Sequence, residues 1–230
     1  MDDQPDSHGF PHPPAGQVRL GSLLAKVDAA FARTGAGTPG WPDPHRGRRP
    51  AEEEYSRCLD PGRYHILFAR REAWLQVLVA GGVVRAACSP PTEWIGALRP
   101  RSGLAEEIRL TPVRAGGLSL VLGTTVLDGE PFGIDAAVHA EDLGTAYLAT
   151  LPDCGCDACD SGSSDLLGQL DRTIITVAGG GIVHARRDTA VATLHLDGGT
   201  CSGDADWSWL NPAHPPPHGV TRWSGTSWLR

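Results

Sequence analysis

Between residues 107 and 150 the chain carries four short apolar runs separated by tight-turn signals, and this spacing constrains the fold more than any other feature. Residues 107–113 (EIRLTPV) and 118–126 (LSLVLGTTV) read as strands, with Arg-Ala-Gly-Gly at 114–117 able to turn one into the other. Pro112 cannot donate to a ladder, so the first strand belongs at a sheet edge or ends there. Asp128–Gly129 is a strong two-residue hairpin signal and sets the next antiparallel strand at 131–138. In that strand Ile134, Ala136 and Val138 face one side of the sheet, and Asp135 and Ala137 the other. A turn through Glu141–Gly144 leads into a fourth strand at 145–150. These four runs predict an antiparallel β-meander.

Helical spacing flanks the meander. Leu20, Leu23, Leu24, Val27 and Phe31 recur at helical intervals and predict an amphipathic helix over 17–33, ended by Gly35 and Gly37. Residues 34–49 read as a solvated loop with basic side chains at Arg46, Arg48 and Arg49. Pro50 followed by Glu52, Glu53 and Glu54 has the marks of a first helical turn. Asp60 then caps a further helix whose buried face is Tyr64, Leu67, Phe68, Leu75 and Leu78, so helix is expected across 50–80. Residues 88–104, with three prolines, read as irregular.

After strand 145–150 comes LPDCGCDACDSGSSD, Leu151 to Asp165. It holds half of the six cysteines, at Cys154, Cys156 and Cys159, among Asp153, Asp157, Asp160 and Asp165 and without a basic residue. Ser163 or Ser164 caps the next helix, 164–178, whose apolar face is Leu166, Leu167, Leu170, Ile174 and Val177. Gly179-Gly180-Gly181 follows that helix. A phosphate loop would precede one, so the glycines read as a C-terminal stop. Strands at 182–187 and 190–196 complete a β-α-β sequence with 145–150, which predicts parallel strands and a right-handed crossover. The expected class is therefore α+β: an antiparallel meander with one β-α-β crossover, flanked by helices. The expected organisation is a disordered Pro-rich tail at 1–16, a single domain at 17–196, and a Trp/Pro/Gly-rich tail at 197–230. Four of the seven tryptophans lie in that last segment, more apolar surface than disorder tolerates. It is expected to pack on the domain or to meet a protein partner.

The crossover has consequences for the cysteine loop. It puts the loop at the carboxyl end of a strand, where ligand sites gather in α/β sheets. It puts His139, His184 and Cys201 too far away to join the thiols. It brings the turn after Arg186 and Arg187 towards the loop, so these arginines are expected to meet its aspartates. Three readings follow. Cys154, Cys156 and Cys159 can hold zinc as thiolates, with Asp157 or Asp160 as a fourth ligand. Cys156 and Cys159 can form a redox pair, although reactive thiols favour electropositive surroundings. The loop can also be a tight structural turn whose aspartates accept backbone N–H groups.

Composition narrows the function classes. A net charge of −7 argues against general nucleic-acid binding, which needs clustered cations. The N-terminus has neither the basic nor the apolar part of a secretory signal, and no run approaches the ~18 apolar residues of a membrane span. The expected compartment is the cytoplasm, where clustered cysteines are more often metal-binding or redox-active than disulfide-bonded. There is no G-x-S-x-G, H-E-x-x-H or Walker pattern. The expected function is a non-catalytic binding or accessory protein with a structural or metal-supported cysteine loop; the alternative is a thiol-dependent redox enzyme.

LPDCGCDACDSGS at 151–163, LLGQLD at 166–171, GG-x-VH at 180–184 and RLTPVRAGGLSLVL at 109–122 together resemble a family of uncharacterised actinobacterial proteins known only as a domain of unknown function. The resemblance covers about residues 50–196. It implies a soluble bacterial protein and transfers no catalytic residues.

Overall fold

The computed structural model describes residues 17–95, 103–142, 144–195 and 198–229. The segment 1–16, expected to be disordered, lies outside the described residues. The class is α+β, with three helices around two sheets.

The first sheet runs in the order β1 (Val84–Ser89), β3 (Leu104–Pro112), β4 (Ser119–Leu127), β5 (Glu130–Ala140), β6 (Gly144–Leu151) and β2 (Trp94–Ile95). All pairings are antiparallel except the two-residue β2, which lies parallel to β6. Asp128 and Gly129 take φ of 54° and 88°, the left-handed pair that a tight hairpin needs. The alternation in β5 holds: Ile134, Ala136 and Val138 enter the main core, and Ala137 joins Trp94 and Val121 on the opposite face. The sheet thus buries apolar side chains on both faces.

On the main face lie α1 (Gln17–Thr34), α2 (Ile66–Ala80) and α3 (Ser163–Ala178). Leu67, Trp74 and Leu78 of α2 and Leu170 and Ile174 of α3 are fully buried, each such side chain contributing roughly 2 kcal/mol. Asp171 ties the layer together. It accepts from Arg70 Nε and Nη2 at 2.9 and 2.6 Å and from Trp74 Nε1 at 2.6 Å, and Arg70 also reaches Asp28 of α1 at 2.8 Å. The expected helix over 50–80 is shorter than its signals suggested. Residues 52–56 and 61–65 are separate 3-10 turns, Asp60 makes no side-chain cap, and the α-helix starts at Ile66. Ser163 is likewise not a cap but the first helical residue, after Gly162.

The second sheet has the order β10 (Thr221–Ser224), β7 (Val183–Arg187), β8 (Ala190–His195) and β9 (Gly198–Ser202), all antiparallel. This corrects the expected crossover. β6 and β7 flank α3 in sequence but belong to different sheets, because β7 pairs with β8 and with β10 from the far end of the chain. Trp209 and Leu210 pack on this sheet, and Trp228 returns to the first one, donating from Nε1 to the Leu118 carbonyl at 3.0 Å. Trp207 is 53% exposed. Gly180 (φ 78°) ends α3 where the chain 226–227 crosses it; a Cβ there would lie 2.7 Å from the Ser227 nitrogen.

Candidate metal centre in the cysteine loop

The loop leaves the core at Leu151, which is buried, through a cis Leu151–Pro152 peptide. It makes one 3-10 turn at Asp157–Cys159 and enters α3 at Ser163. With so little regular structure, its shape comes from two carboxylates. The backbone N–H of Asp157 donates to the Arg57 carbonyl at 2.8 Å. Its side chain accepts from Arg57 Nε at 3.2 Å and from the Leu59 N–H at 3.1 Å, and lies 3.5 Å from Arg63 Nη2. Asp160 is buried. It accepts from Trp41 Nε1 at 2.9 Å and the Gly162 N–H at 2.8 Å, and pairs with Arg63 Nη1 at 3.0 Å.

Arg63 links both aspartates and lies over the rings of Trp41 (5.4 Å) and Tyr64 (5.1 Å). Burial opposes its charge, but Tyr64 and Asp160 hold its pKa above the ordinary arginine value. Trp41 also fastens the start of α3: its N–H donates to Ser163 Oγ at 2.9 Å, and its carbonyl accepts from the Ser163 N–H and Oγ–H. Two glycines allow the chain this close. A Cβ on Gly162 (φ 88°) would lie 2.6 Å from the Asp43 nitrogen, and one on Gly155 would lie 2.6 Å from the Phe132 ring.

Held this way, the loop brings its three thiols together. The sulfurs of Cys154, Cys156 and Cys159 all lie within 4.8 Å of one another, and Cys154 Sγ is 3.2 Å from Cys156 Sγ. Cys154 and Cys156 are half-buried and Cys159 is exposed; all six cysteines of the chain are free thiols. Burial pushes the Cys156 thiol up, but hydrogen bonds from the Cys154 and Cys159 thiols and from the backbone N–H groups of Cys159 and Ala158 bring it below the ordinary value. Cys159 is the donor in that arrangement. Its bond to Cys156, its burial and its bond to Cys154 push it up to about 12. Cys156 therefore becomes a thiolate before Cys159, and a cation placed among the three would displace their remaining protons.

Among the described residues no carboxylate or imidazole joins this group. Asp157 and Asp160, the expected fourth ligands, are the frame of the loop. His184 is buried in the second sheet with Nδ1 2.7 Å from Thr193 Oγ1, and burial lowers its pKa to about 4. His139 pairs with Thr145 on the first sheet, and Cys201 is exposed on β9. Arg57 and Arg63 pair with Asp157 and Asp160. His195 at the end of β8 shares a cavity with Asp153 of the loop. Arg187 pairs with Ala190 at the other end of that ladder and lies over the Trp209 ring at 4.9 Å. Sequence reasoning missed Trp41, Arg57, Arg63 and Tyr64. Their only local signal was a lone tryptophan in a proline-rich loop and two arginines around Asp60–Pro61.

Three cavities meet at the loop, and Asp153 lines each of them. One of about 290 Å³ runs between β6 and α3, with Arg172, Thr176 and His195 in its wall. One of about 140 Å³ is bounded by Tyr64, Cys154, Cys159 and Gln169. One of about 530 Å³ is bounded by Arg57, Cys58, Phe132, Asp135 and Cys156.

A family model described as Family of unknown function (DUF6226) matches residues 27–220, and the chain belongs to that family. No curated protein and no solved structure matches it. Among the described residues no helix is long and apolar enough to cross a membrane.

Proposed function

We propose that the chain is a non-catalytic binding or accessory protein of the cytoplasm whose cysteine loop is supported by a metal ion, with Cys154, Cys156 and Cys159 as thiolate ligands and zinc as the ion. The observation that carries this reading is the meeting of three sulfurs within 4.8 Å in one six-residue segment. Three soft donors at that spacing favour zinc over a hard cation, which takes oxygen ligands. The frame strengthens the reading: the carboxylates of Asp157 and Asp160 are committed to arginines and N–H groups, which leaves the clustered thiols as the soft donors of the loop.

The test is elemental analysis of untagged protein together with a thiol count before and after chelation. About one zinc per chain, with three further thiols released by chelator, is expected. Absence of metal together with six freely reactive thiols would remove the proposal.

A redox reading keeps one observation in its favour, the lowered pKa of Cys156 beside two other thiols. It predicts fast alkylation of Cys156 near neutral pH and a reversible disulfide to Cys159 or Cys154. The metal reading predicts slow alkylation until the ion is stripped.

A further inference from the structure

We infer that the outer edge of β6 is a docking site for an extended peptide segment of a partner protein, which adds as a short strand in the groove between β6 and α3. None of the three thiols lines this groove, and its use does not depend on a metal ion.

The first ground is the shape of the cavity of about 290 Å³. Its wall includes consecutive residues of β6, from Tyr147 to Leu151. Successive side chains of a strand point to opposite faces, so a cavity on one face touches every second residue. This cavity touches both sets. Tyr147 packs on the cluster of Trp94, Val121 and Ala137 on one face of the sheet, and Leu148 and Ala149 pack on the main core on the other. The cavity therefore wraps the edge of the strand.

The second ground is the edge itself. β2 runs parallel to β6 and pairs with it at Thr145 and Ala146. Farther along, Ala149, Thr150 and Leu151 pair with β5 on the inner side, and among the described residues no strand pairs with 148–151 on the outer side. Residues 148–150 are half-buried. Backbone donors and acceptors along a strand edge are a template for another strand. A strand laid there continues the lane that β2 already occupies.

The third ground is the opposite wall, which selects the occupant. Gln169, Arg172, Thr173 and Thr176 of α3 line the cavity, and their spacing is that of a single helix stripe. A strand edge facing such a stripe gives main-chain hydrogen bonds on one wall and side-chain selection on the other. The Thr173 hydroxyl donates its only proton to the Gln169 carbonyl at 2.9 Å, and Gln169 Nε2 donates to Asp165 at 2.7 Å. Thr173 Oγ1 and Gln169 Oε1 are thus left as acceptors. The occupant is therefore an extended segment with N–H groups facing β6, hence without proline at those positions, and with a serine, threonine or asparagine facing α3.

The experiment selects a phage-displayed library of random peptides, about ten residues long, on the immobilised full chain. The Thr173→Trp variant, whose indole fills the groove, serves as counter-selection. A selected peptide is then remade with a single N-methyl group at each position in turn. Binding to the natural chain is expected to weaken about tenfold or more at alternate positions and to change little between them, because only every second N–H of an added strand faces its neighbour. Exchange of the outward amide protons among 148–151 is expected to slow in the complex. No enriched sequence, or enriched peptides that bind Thr173→Trp as tightly as the natural chain, would overturn the inference. N-methyl effects without the two-residue period would overturn it as well, and that series needs no variant to fold. Protection of the same amides by concentration-dependent self-association, before any peptide is added, would give the edge to a second copy of the chain and equally overturn it.

Discussion

The cysteine loop and the second sheet both sit beside the first sheet and α3, and they are ordered by opposite means. The second sheet is held by ladders and apolar burial: Ala185, Ala192, Trp209 and Leu210 form its core, and its one buried histidine is kept neutral. The loop has almost no ladder and little apolar surface. It is held by Asp157 and Asp160, each gripped by arginine and by N–H donors from residues about 100 positions away. Aspartates that look like metal ligands in the sequence turn out to be structural, and the cysteines that look like small turn residues are the side chains left available for chemistry.

The sharpest way to break this contrast is to remove the frame. Asp160→Ala leaves Trp41 Nε1, the Gly162 N–H and a largely buried Arg63 without their shared partner. A loss of roughly 3 kcal/mol is expected in denaturant unfolding, near the lower end for breaking a buried pair. A change below about 1 kcal/mol would show that the loop is ordered by something else.

In the second sheet the comparable probe is acid. Burial favours neutral His184 in the folded chain, where its pKa is about 4, against 6.5 for the free group. In that window the unfolded chain binds the extra proton, so the histidine's contribution is intact above pH 6.5 and is lost as pH falls towards 4. The full loss approaches ~3 kcal/mol. Unfolding curves across this range should be flatter for His184→Gln than for the natural chain; parallel curves would rule out the histidine as the source.

Gly162→Ala tests the close approach at the start of α3. Positive φ together with a Cβ 2.6 Å from the Asp43 nitrogen predicts a loss of about 1–3 kcal/mol by thermal unfolding, with α3 otherwise intact by circular dichroism. An unchanged melting point would show that the Trp41–Asp43 segment is free to move aside.

The smallest effect is expected where the chemistry is. Changing Cys154, Cys156 and Cys159 together to serine should alter the stability of metal-free protein by under about 1 kcal/mol, because the sulfurs bond mainly to one another. The same variant should gain no stability from added zinc, whereas the natural chain should gain in proportion to the logarithm of free zinc over its dissociation constant. A large loss in the metal-free variant would make the thiols part of the frame.

Much of this architecture was readable in the sequence because its signals are local. The meander over 107–150 and the helix before Gly179 announce themselves by periodicity and turn residues a few positions apart. The split into two sheets did not, since it depends on β10 pairing with β7 across more than thirty residues of Gly/Pro-rich chain. A β-α-β order looks the same whether its strands share a sheet or not, and placing Arg186 and Arg187 by the loop followed from that choice. The three cysteines were legible because they lie within six residues. Arg57, Arg63 and Trp41 were not, because only the folded chain brings them to Asp157 and Asp160.

The most direct test of the centre is X-ray absorption at the zinc edge on the reconstituted full chain. Three sulfur scatterers at about 2.3 Å and one nitrogen or oxygen at about 2.0 Å are predicted. Four sulfurs, or a shell of light atoms alone, would contradict a centre built on Cys154, Cys156 and Cys159.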